Sequence, residues 1–373
     1  MSATITWPQA LAWRMGRQFL EPVGEHSVVD VSRRLCGVQA QVASSAELAI
    51  RLRQSTSRSG DAARALADGR LLKTWAMRGT LHLLTPDDGA AFLAMLAAGR
   101  AWERPSWQKY FGVTPAQIDA LRDAVDTILE GRALTREELI AAVVERPGLD
   151  HVGEALASGW GTLLKPLAWQ GVLCFGPSQG NRVTFMRPRD ASPHWAGVPA
   201  VEVAAPAAIV AYLGAHGPAT TEAFGNWLAG GYFGTRRLRD WFAELGHRLV
   251  AVDIEGRTAW LLAEHLDELA AARPTSAVRL LAGFDQYVLG PGTADEHVVP
   301  TARRSTVSRQ SGWISPAVLV DGVVRGTWEL ADDVVRVTWF REAARPPRTK
   351  LGAEVERLAG ILDRPLRVTI EVV

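Results

Sequence analysis

The sequence has only two cysteines in 373 residues, Cys36 and Cys174. Two cysteines so far apart provide neither a disulfide framework nor the closely spaced ligands of a zinc site. None of the eight histidines belongs to a His-Glu-x-x-His or His-x-His pattern, so we expect no metal. The sequence also lacks a Walker loop and a dinucleotide-binding glycine pattern, and no cofactor is therefore implied.

Long apolar runs are absent as well, since no stretch approaches the roughly 18 residues of a membrane-spanning helix. The first residues, Met1–Pro8, do not show the basic stretch followed by an apolar one that a secretory signal would have. Hydrophobic residues make up 47% of the chain and charged residues 22%, which is ordinary for a folded globular protein. We expect a cytoplasmic protein with two or three cores and no membrane partner.

Net charge is nearly absent, because 41 Lys plus Arg face 40 Asp plus Glu and leave a formal charge of +1. This balance excludes nucleic-acid binding driven by overall charge, although arginines gathered on one concave surface can coexist with it. Only four of the basic residues are lysines, which leaves 37 arginines. Arginine suits phosphates and carboxylates, but a GC-rich genome would produce the same bias.

The periodicity of apolar residues predicts helices in the first part of the chain. One covers Pro8–Leu20 with Thr6 as its cap, and a second covers Val28–Leu35. A capping box at Ser44–Glu47 indicates the start of a third. The segment Gln39–Gln41 therefore lies between two helices.

A unit of helix, glycine, strand, turn and strand occurs twice. The first copy has a helix over Trp160–Trp169 with strands Gly171–Phe175 and Arg182–Met186; the second has a helix over Arg236–Leu245 with strands Arg248–Val252 and Arg257–Leu261. Another helix precedes each copy, at Thr135–Val144 and Thr220–Leu228. Helices followed by a hairpin are typical of a winged helix. With a plausible third copy at Leu71–Leu84, we predict three winged helices in tandem.

The chain becomes rich in β-forming residues after Arg273. The segments concerned are Val298–Val299, Ala317–Val320, Val323–Trp328, Val334–Phe340 and Arg367–Val373, with one helix at Leu351–Leu362. This end is predicted to form a small β-barrel or sandwich of about 100 residues. The fold class is therefore α+β, with winged helices at 1–112, 113–198 and 199–272 and the barrel at 273–373.

Several patterns have a structural interpretation that outweighs a catalytic one. Gly176–Gly180 matches the nucleophile-elbow pattern Gly-x-Ser-x-Gly, but a strand follows it where the elbow requires a helix, so a hairpin tip is favoured. The 14 tryptophans could stack on bases, yet their spread along the chain favours a role in the core. Arg303–Gln310 offers three arginines and three hydroxyls, which suits either phosphate contact or a solvated loop.

Gln39-Ala40-Gln41 is the remaining candidate. Residues two apart face the same way on an extended segment, so two amides could point into one site. Glutamine is too weak a base for a demanding proton abstraction. It can orient a water and stabilise a cationic transition state through its carbonyl dipole when the leaving group is already activated.

Four segments together resemble the AlkZ/YcaQ-like bacterial DNA glycosylases. They are Gly37–Gln41, Trp75–Leu83, Leu281–Gly290 and Val318–Trp328, in the family's order and across nearly the whole chain. The resemblance implies three tandem winged helices forming a C-shaped channel, with a β-barrel at the C-terminal end. It also implies that Gln39 and Gln41 form the catalytic Gln-x-Gln motif of the AlkZ-like branch. The chain departs from many relatives in the small residue between them, Ala40.

The implied activity is that of a monofunctional DNA glycosylase. Such an enzyme excises N7-alkylated guanines, including those joined in interstrand crosslinks. The partner would be double-stranded DNA carrying the alkylated guanine, bound by a monomer. The predicted DNA contacts are Lys73, Arg78, His82, Lys165, Arg303, Arg304 and Arg309. The alternative is a non-catalytic winged-helix regulator, against which three fused copies argue, because regulators usually dimerise on paired half-sites.

Overall fold

The computed structural model of the chain describes residues 4–159 and 161–373, and only the backbone of Thr4. The chain divides into two compact units. The first comprises Met1–Asp61, Ile209–Trp227 and Thr235–Val373, and the second Ala62–Ala208 and Leu228–Gly234. Both units combine helices with strands, which confirms the α+β class.

Helices account for most of the regular structure in the described residues. They are α1 (Trp7–Arg17), α2 (Val28–Arg34), α3 (Ala43–Arg51), α4 (Asp61–Ala67), α5 (Pro86–Ala98), α6 (Pro105–Phe111), α7 (Pro115–Ile128), α8 (Arg136–Val144), α9 (Gly153–Ala157), α10 (Leu164–Trp169), α11 (Pro188–Ala191), α12 (Val201–His216), α13 (Thr221–Ala229), α14 (Thr235–Ala243), α15 (Leu266–Ala271), α16 (Gln286–Leu289), α17 (Arg304–Val307) and α18 (Arg348–Leu362).

The strands are short except near the C-terminal end. They are β1 (Thr4–Ile5), β2 (Val38–Gln39), β3 (Leu72–Trp75), β4 (Leu81–Leu84), β5 (Leu134–Thr135), β6 (Cys174–Phe175), β7 (Thr184–Met186), β8 (Leu249–Ile254), β9 (Arg257–Leu262), β10 (Val278–Leu281), β11 (Ala317–Val320), β12 (Val323–Ala331), β13 (Val334–Trp339) and β14 (Arg367–Val372).

The first two predicted helices are confirmed, but the third begins differently. Thr6 caps α1, with Pro8 in the first turn, as the sequence indicated. The capping box at Ser44–Glu47 is wrong, because Val42 is the N-cap of α3 and makes no side-chain cap. The Glu47 carboxylate instead accepts a hydrogen bond from the backbone N–H of Gly60 at 2.8 Å. Glu47 thus bonds to Gly60, 13 residues away, and not to the backbone at the start of its own helix.

The predicted repeat of helices followed by a hairpin is present in both copies. In the second unit, β6 and β7 form an antiparallel hairpin after α8, α9 and α10, and β5 pairs with β7. The helix predicted from Trp160 begins at Leu164, and Trp160 itself lies outside the described residues. In the first unit, β8 and β9 form a hairpin after α14. Ala219, just before α13, pairs with Trp260 of β9 in the same manner.

The third region, at 71–84, is also a hairpin, since β3 and β4 pair antiparallel from Leu72↔Leu84 to Trp75↔Leu81. Within the second unit the strands follow the order β4-β3-β6-β7-β5. Gly176–Gly180 lies in the connection between β6 and β7, which confirms the hairpin interpretation of Ser178.

The C-terminal end is not a barrel, contrary to the prediction. Its five strands follow the order β10-β11-β12-β13-β14, so the described sheet is open, with β10 and β14 at its edges. The helix α18 connects β13 to β14, and these two strands run parallel. Val298 and Val299 are buried in turns rather than in a strand.

Seven of the 14 tryptophans are buried, in agreement with the predicted role in the core. The buried ones are Trp13, Trp75, Trp102, Trp227, Trp241, Trp328 and Trp339. Gly161 shows how closely one of them is packed, because a Cβ at this position would lie 2.3 Å from the Trp75 ring. Trp313, in contrast, has 45% of its surface exposed.

Candidate functional site

The segment that holds the two glutamines begins at a sharp helix end. After α2, Cys36 adopts a left-handed conformation with φ 57°. Its N–H donates to the carbonyl of Arg33 at 3.0 Å, and the N–H of Gly37 donates to that of Ser32 at 2.8 Å. These paired bonds form the Schellman motif that ends helices and redirects the chain. The chain therefore leaves α2 in an extended conformation, and Gln39 lies in β2, within the segment predicted between two helices.

The two glutamines differ in their surroundings. Gln39 is buried, with 5% of its surface exposed, and Ala40 is buried as well. Gln41 is exposed and lies in a bend just before α3. The regular extended stretch thus ends at Gln39. Gln39 has the fixed position expected of an orienting group, and Gln41 has the access expected of a group that meets a large substrate.

Residues of the Leu281–Gly290 segment support α3, the helix that follows Gln41. The Arg53 guanidinium donates to both carboxylate oxygens of Asp285, at 2.7 and 2.8 Å, and neither side chain is more than 1% exposed. Asp285 also accepts from the backbone N–H of Tyr287 and so caps α16. A buried, bidentate ion pair of this kind holds its two elements in one arrangement.

Gly283 brings the same segment against the first turn of α3. A Cβ at Gly283 would lie 3.5 Å from the Ser45 Oγ and 3.1 Å from the carbonyl oxygen of Ile314. The next residue, Phe284, meets the exposed Trp313 edge to face, with 5.0 Å between ring centroids. Trp313 thus offers an aromatic surface that the sequence prediction assigned to the core. Trp313 follows the Arg- and Ser-rich stretch Arg303–Gln310, and this polar context was the sequence signal for its exposure.

The predicted phosphate contacts in this unit fall into two groups. Arg303 forms two hydrogen bonds to Glu342, both of 2.7 Å, which lower the Glu342 carboxyl pKa to about 2 and raise the pKa of Arg303. Arg304 and Arg309 are exposed, and no described residue pairs with either guanidinium. The last two are therefore available to an external anion, whereas Arg303 already has a carboxylate.

In the second unit, Lys73 and Lys165 line separate cavities. Burial lowers the pKa of both ammonium groups. Lys73, on β3, lies 5.6 Å from the centroid of the Phe175 ring. Lys165, on α10, shares its cavity with Arg78, which has a left-handed backbone conformation with φ 56°.

His82 lies within the core, on β4, with none of its surface exposed. Burial, reinforced by the nearby charge of Arg78, lowers its pKa to about 3. Its Nδ1 lies 3.0 Å from the carbonyl oxygen of Thr80. A neutral, enclosed imidazole has no surface to present to a phosphate, so the predicted DNA contact of His82 gains no support from this geometry.

The described residues contain neither a metal-binding cluster nor a membrane-spanning helix. Among residues 4–159 and 161–373, no group of three or more His, Cys, Asp or Glu is placed to hold a metal ion. Cys36 and Cys174 are both buried, and neither forms a disulfide with a described residue. In the same part of the chain, no helix is long and apolar enough to cross a bilayer.

Comparison with known proteins agrees with the resemblance in the motifs. A family model described as DNA glycosylase AlkZ-like matches residues 32–361. The chain is 49% identical over 367 residues to an interstrand DNA cross-link repair glycosylase of Streptomyces sahachiroi, covering 97% of this chain and 99% of that protein. It is also similar to the solved structure of the Streptomyces sahachiroi DNA glycosylase AlkZ. In that comparison the TM-score is 0.96 and the identity 48%, over 99% of this chain and 100% of the other.

These matches together define a DNA glycosylase, an enzyme that acts on DNA. Within that class, the chain belongs to the AlkZ-like DNA glycosylase family. The family membership confirms the resemblance and replaces the alternative of a non-catalytic regulator.

Proposed function

We propose that this enzyme hydrolyses the N-glycosidic bond of N7-alkylated guanine in double-stranded DNA, and that its substrates include interstrand crosslinks. The observation that supports this most is the 49% identity, over 97% of the chain, to an interstrand DNA cross-link repair glycosylase. An identity of this extent, over 97% of this chain and 99% of the other, favours a shared substrate class.

The proposed chemistry needs little from the protein at the leaving group. An N7-alkylguanine carries a positive charge, so its glycosidic bond is weakened and the base departs neutral without a general acid. The transition state resembles an oxocarbenium ion, as in glycoside hydrolysis. What remains is to place a water near C1′ and to stabilise positive charge on the sugar, which an amide dipole can do.

Gln39 and Gln41 would share this work. The amide oxygen of Gln39, held in β2 by a buried backbone, would accept a hydrogen bond from the attacking water and orient it. Gln41, exposed at the entrance of α3, would place its carbonyl dipole against the sugar. Neither residue becomes protonated or forms a covalent bond: the C1′–N9 bond breaks, the C1′–O bond forms, and the proton of the attacking water passes to the solvent.

DNA would be bound by three tandem winged helices, at 1–112, 113–198 and 199–272. Two observations support this interpretation: the hairpins that follow each helix set, and the pairing of β5 with β7 and of Ala219 with Trp260. In the third copy, α14 takes the place of a recognition helix. It buries Leu238, Trp241 and Phe242 and exposes Arg236, Arg237 and Arg239.

Release of 7-methylguanine from alkylated duplex DNA tests the proposal. Gln39→Ala and Gln41→Ala should each lower the single-turnover rate by about 100-fold, the loss typical of removing one preorganised dipole. Gln179→Ala is the matched control, because Gln179 is exposed in the connection between β6 and β7. Undiminished rates in both folded variants would refute the roles of the glutamines, and absence of base release by the wild type would refute the substrate.

A further inference from the structure

A cavity in the second unit combines positive charge with aromatic walls. It has a volume of about 290 Å³, near the lower end of the range for small-ligand sites. The turn at Met77–Gly79 and the helices α5 and α10 contribute to its lining. Arg78 and Lys165 are its charged residues, and its aromatic residues are Trp169, Tyr232 and Phe233. No carboxylate is among the described lining residues, so the cavity is suited to an anion.

The Lys165 ammonium group has no partner among the residues that the structure describes. Burial lowers the pKa of its ammonium group, yet no described residue forms a hydrogen bond or ion pair with it. A half-buried cation without a counter-ion is costly, because it has lost part of its hydration. An anionic ligand at this position would replace the missing interaction.

The turn beside Lys165 is shaped to allow close approach. Gly79 has φ +68°, and a Cβ there would lie 3.4 Å from the Lys165 Nζ. Arg78 adopts φ 56° in the same turn, a conformation that is uncommon for a residue with a side chain. Strained backbone conformations of this kind occur mostly at functional sites, where the surrounding structure holds them in place.

The aromatic walls are fixed in place. The hydroxyl of Tyr232 donates to the carbonyl of Gly99 at 3.0 Å. The Arg104 guanidinium lies 3.7 Å from the centroid of the same ring, and Phe233 is buried. A rigid aromatic wall loses little entropy when a flat ring stacks on it.

We propose that this cavity binds one unpaired nucleotide of the DNA strand, with its phosphate at Arg78 and Lys165 and its base against the aromatic wall. The proposal rests on DNA being the substrate. A bare phosphate would leave the aromatic surface unused, and an apolar molecule would leave the Lys165 ammonium group without a counter-ion. A nucleotide carries a phosphate and a stacking ring in one ligand, and single-stranded sites elsewhere combine the same two features.

The test compares two undamaged duplexes of equal length, one fully paired and one with a single 2-aminopurine nucleotide bulged out. Binding is measured by anisotropy, and stacking of the bulged base by the fall in 2-aminopurine emission. Lys165→Gln should weaken binding of the bulged duplex about tenfold, as expected for loss of a charge-assisted hydrogen bond. The same variant should change binding of the paired duplex less than twofold.

Two further variants separate charge from stacking. Trp169→Leu should keep the cations but weaken binding of the bulged duplex about tenfold and remove the emission change. Lys109→Gln removes the same charge from an exposed residue of α6 and should leave both affinities unchanged. Lys165→Arg should restore the affinity of the wild type, and melting temperatures equal to that of the wild type verify folding.

Three results would overturn the proposal. One is unchanged binding of the bulged duplex by Lys165→Gln and Trp169→Leu. Another is an equal loss for paired and bulged duplexes, which would make Lys165 a contact of the duplex backbone. The third is Lys165-dependent binding of deoxyguanosine monophosphate without any loss for the bulged duplex, which would assign the cavity to free nucleotides. Because neither duplex is alkylated and no bond is cleaved, these results are independent of the proposed excision.

Discussion

Replacing Asp285 by alanine should destabilise the first unit strongly. The substitution leaves the Arg53 guanidinium buried without its carboxylate and removes two hydrogen bonds of 2.7 and 2.8 Å. Breaking a buried pair from one side costs about 3–5 kcal/mol, and loss of the cap on Tyr287 adds about 1 kcal/mol. Arg53 retains the carbonyls of Gln18 and Ala49 as acceptors. We therefore expect a net loss of about 4 kcal/mol in the free energy of unfolding.

Urea unfolding measures this loss, with Glu329→Ala as the control. Glu329 pairs with Arg336 at 3.7 Å on the same sheet, but both side chains are more than half exposed. Removing such a pair should cost less than about 1 kcal/mol. The double variant Arg53→Met/Asp285→Leu should recover much of the stability, because no buried charge is left alone. A loss for Asp285→Ala within 1 kcal/mol of the control would refute the reasoning.

The remaining predictions concern His82 and Arg303. His82 has a folded-state pKa of about 3, below the value near 6.5 of an unfolded chain, so the unfolded state binds the proton first. Its contribution to stability is complete above pH 6.5 and is lost as the pH falls toward 3, at up to about 1.4 kcal/mol per pH unit. The variant His82→Leu should lose about 2 kcal/mol less than the wild type between pH 6.5 and pH 5 in urea unfolding, and parallel losses would contradict the burial of His82. Arg303→Ala should change the affinity for duplex DNA less than Arg309→Ala does, because Glu342 already holds the Arg303 guanidinium; anisotropy titrations at two salt concentrations decide this, and a larger effect of Arg303→Ala would show that DNA displaces Glu342.

Features with a local cause could be predicted from the sequence. The start of α1 at Thr6 and Pro8 depends on residues within one helical turn. The hairpins β6–β7 and β8–β9 depend on turn residues between two apolar strands. The capping box at Ser44–Glu47 failed because Gly60, more than a turn away, offers Glu47 another donor.

Features that depend on pairing between distant segments of the chain could not be predicted from the sequence. The sequence indicated the strands of the predicted barrel, but it did not indicate that β10 and β14 would remain the edges of an open sheet. The helix predicted at Leu351–Leu362 was a usable signal, since a helix between two adjacent strands makes them parallel and covers one face of an open sheet.

In the candidate site, too, features with local causes could be predicted and features with long-range causes could not. The motif around Gln39 and Gln41 could be recognised, and its placement between two helices followed from local patterns. The burial of His82, the exposure of Trp313 and the pairing of Arg303 with Glu342 could not be foreseen. The contact of Trp313 with Phe284 and the pairing of Arg303 with Glu342 join residues that are tens of positions apart in the chain.

The pairing of β1 with β8 has a consequence for synthesis of the protein. Thr4 and Ile5 lie parallel to Asp253 and Ile254, and Ile5 is buried in the same core as Val252. During translation, nearly 250 further residues must be synthesised before β1 can pair with β8. At about 5–20 residues per second this takes roughly 12–50 s. Until then Ile5 and the apolar face of α1 remain without their final neighbours on the ribosome. Premature release of a chain that ends before Asp253 would leave this surface open to aggregation or to chaperones.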